Sequence, residues 1–545
     1  MKEGTEPLAK PKRYALRRPL PWSYMKQTFP TSSSPETRLG GKNEEAEIMV
    51  WVALAVVAVV AGVVLLLRAR CDDKDMPPGP KGLPLVGNVF DLLKEDSVRY
   101  FTRLAEEHGP FYSVQLGGRR VVVLSSSHWL NQAFVRQGEM FNHRPRGTVL
   151  SFIMGGKGIA DAENTKWRDS RRFTLHVLRD FGLGKRSVEN YVNRELQDFM
   201  EVTQKNVGRA YNPHYDLATS ILNVVWHMFV GERFEMGDKS LRWIVDSLEM
   251  SLTLVEQGGF LNYLPLLQFI GTFFKPKAVK VGLNVWHRLD YFSDLIAKHK
   301  ASLDDPERDI DLMYEFLEQQ RKDLQQGKTD TVFTDDQLKW LLSDLFIVGL
   351  DTTVTTLRWS FLSLVRHPEM QRRVYKEVEA TIGLDRLPTY EDRLKMPYTE
   401  AFMNEVFRFG SITPLAVHAN PEETTLGGYR IPKRTWVIGN IYGIHWDKKL
   451  WGDPENFRPE RFLNEAGEFV RSEHVLPFSV GRRNCLGESL ARIEAFLFLT
   501  SMLQKYEFGV PEGHERPATT FQCGVTLNPS EYHVLLTERN PVIMN

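Results

Sequence analysis

The chain has 545 residues, 42% hydrophobic and 25% charged, which is ordinary for a globular protein. Lys plus Arg and Asp plus Glu both total 69, so no global charge excess points to nucleic acid. Three cysteines give no disulfide framework and fit a reducing compartment, while the length alone allows two or three domains.

Residues 1–47 are polar and carry Lys2, Lys10, Lys12, Arg13, Arg17, Arg18 and Lys26. They read as a disordered extension, or as sequence ahead of an alternative start at Met49. A mitochondrial transit peptide is opposed by the long apolar run next to it. Ile48 to Leu67 are 20 uncharged residues, enough to cross a bilayer as one helix. A buried core helix is the bland alternative, but Arg68, Arg70 and Lys74 come at once after the run and place the C-terminal side in the cytosol. Part of the basic content before the span opposes that orientation. Residues 68–84 are a basic, proline-rich hinge, and Met76-Pro77-Pro78-Gly79-Pro80 is stiff.

Trp167-Arg-Asp-Ser-Arg171-Arg172-Phe173 lies on a helical stretch, where Trp167 and Arg171, four apart, share a face. Alone they would be a core tryptophan and an exposed arginine. Lys166, Arg168 and Arg172 make a basic patch, by default a solvated face. Thr334-Asp-Asp-Gln337 is a capping box opening an apolar run that includes Leu338, Leu341, Leu342, Leu345 and Phe346 at helical spacing. Pro368 ends it near Arg366, so the spacing predicts a helix of about 33 residues, roughly 50 Å. Inside it stands Val348-Gly349-Leu350-Asp351-Thr352-Thr353, a poor local choice for a buried helix. Such a violation marks either a functional site or a back-bonded polar cluster.

Glu405-Val-Phe-Arg408 sits one helical turn apart, and Pro459-Glu-Arg461-Phe462 comes later in the chain. An isolated pair of this kind is usually worth little. Between them runs Ser411-Ile-Thr-Pro414-Leu415-Ala-Val417-His418. Last comes Phe478-Ser-Val-Gly481-Arg482-Arg483-Asn484-Cys485-Leu486-Gly487, the pattern F-x-x-G-x-R-x-C-x-G, with a chance probability on the order of 10⁻⁴ from average usage. A lone intracellular cysteine is by default a small buried hydrophobe, which is the reading of Cys71 and Cys523. Cys485 instead precedes an amphipathic helix, whose unpaired N–H groups and dipole would lower the thiol pKa. Gly481 and Gly487 permit a tight turn.

These motifs, in this order over roughly residues 77 to 535, resemble the cytochrome P-450 family of haem-thiolate monooxygenases, in its animal microsomal branch. The resemblance implies one large, mainly α catalytic domain with a small β-lobe over residues 85–545, behind one N-terminal transmembrane helix at 48–67. It implies haem b, with Cys485 as the axial ligand of iron and a thiolate that favours O–O cleavage. Trp167, Arg171, His418 and Arg483 would meet haem propionates, with Phe478 beside the cofactor. Relatives commonly have Pro before the histidine, where Val417 stands here. Gly349, Asp351 and Thr352 match the oxygen-activation motif: Gly349 lets the helix open, Thr352 donates a hydrogen bond at the oxygen site, and Asp351 feeds protons.

Phe346, Val348 and Leu415 are expected in the substrate pocket, and Val348, where Ala or Gly is usual, should narrow it. The segment from Thr148 to Ala160 and the strand-turn from Thr520 to Leu527 should add walls. Glu405, Arg408 and Arg461 would form a buried network holding the cysteine loop. The expected activity is hydroxylation or epoxidation of a lipophilic steroid or other isoprenoid, fatty acid or foreign compound, with O₂. Electrons would come from an NADPH-dependent flavoprotein reductase, with cytochrome b5 as a second candidate donor. The expected place is the endoplasmic reticulum membrane, with the catalytic domain cytosolic. Two other readings stand beside it: a haem-thiolate isomerase or dehydratase, and a non-catalytic haem- or lipid-binding membrane protein. Asp351 and Thr352 favour the monooxygenase.

Overall fold

The computed structural model describes residues 51–63, 75–83, 86–148, 151, 154–182, 187–239, 241–246, 248 and 276–539. The polar extension at 1–47, the ends of the apolar run and most of the basic part of the hinge lie outside the described residues. Helix α1 (Trp51–Val63) is the described part of the expected anchor. Its apolar side chains are turned outward, with Trp51 and Val57 more than half exposed. An apolar surface of that kind calls for a cover other than water.

The body that follows is mainly helical, as expected. Its larger helices are α2 (Ser97–His108), α3 (Asn164–Asp180), α4 (Ser187–Gln204), α5 (His214–Val230), α6 (Pro276–Ala301), α7 (Leu312–Gln325), α8 (Asp335–Arg366), α9 (Pro368–Thr381), α10 (Pro397–Gly410) and α11 (Glu488–Lys505). Helix α8, 32 residues long, is the axle. It packs against α5, α6, α10 and α11. By length and composition it would pass for a membrane span, but it is the buried core helix of this body.

Both ends of α8 follow local chemistry. Thr334 caps it, accepting the Gln337 N–H at 3.2 Å. The second half of the capping box is not made. The Gln337 side chain instead donates to Gly158 O (2.8 Å) and Ser170 Oγ (3.0 Å), and so pins a distant loop. At the other end, His367 leaves the helical region before Pro368, which opens α9. The helix runs unbroken through Gly349. A Cβ there would meet Val225 Cγ2 of α5 at 2.7 Å, so glycine is required by close helix packing.

A four-stranded sheet is formed by β1 (Phe111–Leu116), β2 (Arg119–Leu124), β3 (Leu415–Ala419) and β4 (Trp436–Asn440), in the order β1-β2-β4-β3. Strand β4 runs parallel to β2 and antiparallel to β3, with His418 opposite Val437. Val121, Val122 and Val123 are all fully buried, as a strand covered on both faces requires. Near the C-terminus, β5 (Tyr506–Gly509) pairs with β8 (Val534–Glu538), and β6 (Phe521–Cys523) with β7 (Leu527–Pro529). The last hairpin is fastened to α8: Trp359 Nε1 donates to Leu527 O at 2.8 Å and Arg358 Nη2 to Pro529 O at 3.0 Å.

Candidate active site

A cavity of about 380 Å³ opens between α8, the start of α11, strand β3 and the loop before Cys485. The loop carries Cys485 into its wall. Ser479 (φ 58°) and Gly481 (φ 81°) both take the left-handed region. A Cβ on Gly481 would stand 1.9 Å from Phe134 O, so only glycine lets the loop lie against that segment. The Cys485 N–H closes the loop onto Phe478 O at 2.9 Å. Cys485 is exposed, yet deep protein mass pushes its thiol upward; the two agree because the exposure is to the cavity. The expected lowering influences are present, in N–H groups of Gly487 and Glu488 and the charge of Arg171, but burial outweighs them. A cation bound at sulfur is what would remove the proton.

One edge of the cavity is cationic. Arg483 donates to the carbonyls of Asn142 (2.8 Å), Ile159 (3.1 Å) and Ala162 (2.6 Å), and its guanidinium lies 4.2 Å over the Trp167 ring. Arg171 donates to Asn484 Oδ1 at 2.8 Å, and Arg144 to Val417 O at 2.7 Å. Burial, with repulsion from Arg144, depresses Arg483 to about 8. Trp167 Nε1 is buried without a hydrogen-bond partner. His418 donates from Nδ1 to Phe141 O at 2.6 Å and stacks on Phe134 at 3.9 Å; burial and Arg144 push it down to about 3. Three guanidiniums satisfied by uncharged oxygens, plus an orphaned indole N–H, call for an anion.

The opposite wall is one stripe of α8. Asp344, Leu345, Val348, Gly349, Thr352, Thr353 and Thr356 line the cavity, spaced three and four apart. Val348 is 51% exposed into it. Thr352 Oγ1 lines the cavity while donating to Val348 O at 2.9 Å. Leu415 is also in the wall.

Phe346, expected in the pocket, is corrected. It is buried in an aromatic cluster with Trp226, Phe234 and Phe292, because two residues along a helix turn the side chain away from the face of Val348. Asp351 also faces away from the cavity. Its Oδ2 accepts from Thr526 Oγ1 at 2.7 Å, on the C-terminal hairpin. The expected strand-turn from Thr520 to Leu527 accordingly lines a separate polar pocket, not this cavity.

Sequence motifs alone do not single out Asp344 or Arg144. Asp344 Oδ2 accepts the N–H groups of Ile159 (2.6 Å) and Ala160 (2.9 Å), holding that segment as a cavity wall. Extending the stripe back one turn from Val348 would find it. Arg144 has no such local signal.

Glu405, Arg408 and Arg461 form a buried ion network. Arg408 donates to both Glu405 oxygens at 2.7 Å, with both side chains fully buried, and Arg461 Nε lies 3.4 Å from Glu405. Arg408 also donates to His445 O at 2.8 Å, and His445 Nε2 accepts the Leu476 N–H at 2.9 Å, at the root of the cysteine loop. Thus the pair on α10 holds the loop through His445.

Glu494 of α11 lines the cavity and is pushed up to about 8 by burial. A carboxyl with its folded pKa above the unfolded value keeps its proton in the fold. Stability therefore falls as pH rises from about 4 to about 8, at up to about 1.4 kcal/mol per pH unit. Glu494→Gln should flatten that slope and be relatively more stable at the alkaline end, as read by urea midpoints across the range.

The residues fit haem b: a sulfur for iron, a cationic edge for propionates, and a largely apolar cavity between α8 and the start of α11. A profile of the Cytochrome P450 family matches residues 77–536. Cytochrome P450 2U1 of Mus musculus is 34% identical over 512 residues, covering 89% of this chain and 94% of that protein. Cytochrome P450 2D6 of Homo sapiens is 35% identical and Cytochrome P450 2B19 of Mus musculus 33%, each covering 89% of this chain and 99% of the relative. With the cysteine loop, the cationic edge and the helical fold in place, the chain belongs to the cytochrome P450 family of monooxygenases, oxidoreductases that bind haem b through a cysteine thiolate.

Proposed function

We propose that this protein is a membrane-anchored monooxygenase that hydroxylates or epoxidises a lipophilic small molecule, with electrons from an NADPH-dependent flavoprotein reductase. The observation that carries the reading is the cavity itself. Cys485 and the Thr352 hydroxyl lie in one space whose remaining walls include Val225, Phe229, Leu345, Ile412 and Leu415. Apolar walls select a lipophilic substrate by the area they remove from water. In this assignment Cys485 is the iron ligand; Trp167, Arg171, His418 and Arg483 hold the propionates; and Phe478 packs beside the cofactor. Bound haem would supply O₂ activation and insertion of one oxygen atom into a substrate bond.

Exposed Lys166, Arg168 and Arg172 lie on α3, whose Arg171 touches the cysteine loop. A basic surface on the helix that touches the cysteine loop would suit an acidic electron donor. Helix α1 and the hinge support a place on the endoplasmic reticulum membrane with the body in the cytosol.

The test is reconstitution with reductase and NADPH, and a panel of steroids, fatty acids and aromatic foreign compounds. Substrate-dependent oxygenated product that disappears without reductase supports the reading, and its absence across the panel in protein with an intact haem spectrum counts against it. Val348→Ala should enlarge the space beside Thr352 and shift product ratios several-fold. Removing two carbons in an apolar pocket is worth about 1–3 kcal/mol of discrimination. Unchanged regiochemistry by product chromatography would sink the role of Val348.

A further inference from the structure

We propose that a second, polar pocket behind α8 is the port through which solvent protons reach Asp351. The pocket has a volume of about 160 Å³, room for several waters. Its rim carries exposed Gln522 and Glu531. Its floor carries Thr526, which is 3% exposed.

Thr526 Oγ1 donates to Asp351 Oδ2 at 2.7 Å. Asn528 Nδ2 donates to Thr526 Oγ1 at 3.1 Å and stands 3.5 Å from Asp351 Oδ1. The other end of that amide is fixed, since Asn528 Oδ1 accepts from Thr355 Oγ1 (2.5 Å) and Arg358 Nη1 (3.3 Å). Two donors on α8 therefore set which face of Asn528 meets Asp351 and Thr526.

Asp351 thus stands on one side of α8 and its neighbour Thr352 on the other, in the apolar cavity. Proton supply through the apolar cavity would compete with the substrate for space. A polar entrance on the far side of the helix removes that conflict. The inference rests on the monooxygenase reading, because only a reaction that consumes protons needs the port.

The transfer balances at named atoms. Thr526 gives its hydroxyl proton to Asp351 Oδ2 and takes one at the same oxygen from a protonated pocket water. Thr526 is regenerated, and one proton has moved from solvent to the carboxyl. Asp351 then turns about its side-chain bonds to release the proton on the Thr352 side. A purely structural tie between hairpin and helix would make the same hydrogen bonds but no solvent connection.

Two measurements on full-length holoprotein separate these. In a Cys523→Ser background, Thr526→Cys should be labelled by a small methanethiosulfonate from solvent, and Gln522→Trp at the rim should slow labelling at least tenfold. With reductase and NADPH, Thr526→Val should slow NADPH oxidation by ~10-fold or more, raise its solvent deuterium isotope effect and raise the share released as hydrogen peroxide. A positioned proton donor is worth about 10²–10⁴-fold, so that size is within reach. Thr526→Ser should restore all three. No labelling at position 526, or unchanged isotope effect and peroxide share in Thr526→Val, overturns the port. An unchanged Asp351→Asn overturns it too. The carbon monoxide spectrum of each variant reports an intact haem site. A wild-type spectrum without thiolate character would instead bring down the monooxygenase reading.

Discussion

Cys485→His, expressed in membranes and reduced under carbon monoxide, should lose the strongly red-shifted Soret band of the wild-type protein and show the band of an imidazole-ligated haem. Monooxygenase turnover should fall to background. The cavity presents Cys485 from the N-terminal end of α11, with N–H groups of Gly487 and Glu488 on the sulfur. Imidazole in the same place would bring a neutral ligand without the electron push of a thiolate. The cationic edge formed by Arg144, Arg171 and Arg483 does not involve the sulfur side chain, so haem should still bind. That separation makes the outcome decisive. A retained thiolate band in the variant would mean that another residue ligates the iron.

Arg408→Met should be the most destabilising single change outside the loop, by about 3–5 kcal/mol, because it strands the fully buried Glu405 carboxylate. It also leaves His445 O and Pro454 O without their donor. Since His445 receives the Leu476 N–H, the disturbance runs into the cysteine loop. Haem retention should therefore fall along with the urea midpoint. Glu405→Leu combined with Arg408→Met should cost less than the sum of the single changes, since the double variant strands no charge. Additive losses would show that the pair is not the unit that holds the loop.

Much of this site is legible in the amino-acid order. The cysteine loop, Trp167 and Arg171 line one cavity, and Glu405, Arg408 and Arg461 form a buried ion network. Each depends on residues at short, fixed offsets within one loop or helix turn. The start of α8 at Thr334 and its end before Pro368 are legible for the same reason: caps and prolines act on neighbouring backbone. Val348 and Leu415 lie in the cavity wall as expected, while Phe346 does not. Apolar spacing marks a buried face, but α8 is buried nearly all round, so spacing could not tell the cavity face from the aromatic core.

Sequence alone therefore settles what is local: the sulfur, the turn that presents it, and the ends and polar interruption of the long helix. Only packing in three dimensions settles which way each side of that helix looks. It turns Asp351 to Thr526, 175 residues away, and sets Asp344 against the N–H groups of Ile159 and Ala160. It also brings Arg144 to the cationic edge. Those pairings link segments far apart in the chain, and hydrogen bonds act over about 3 Å. The packing of α8 against its neighbours is what brings those distant groups within that reach.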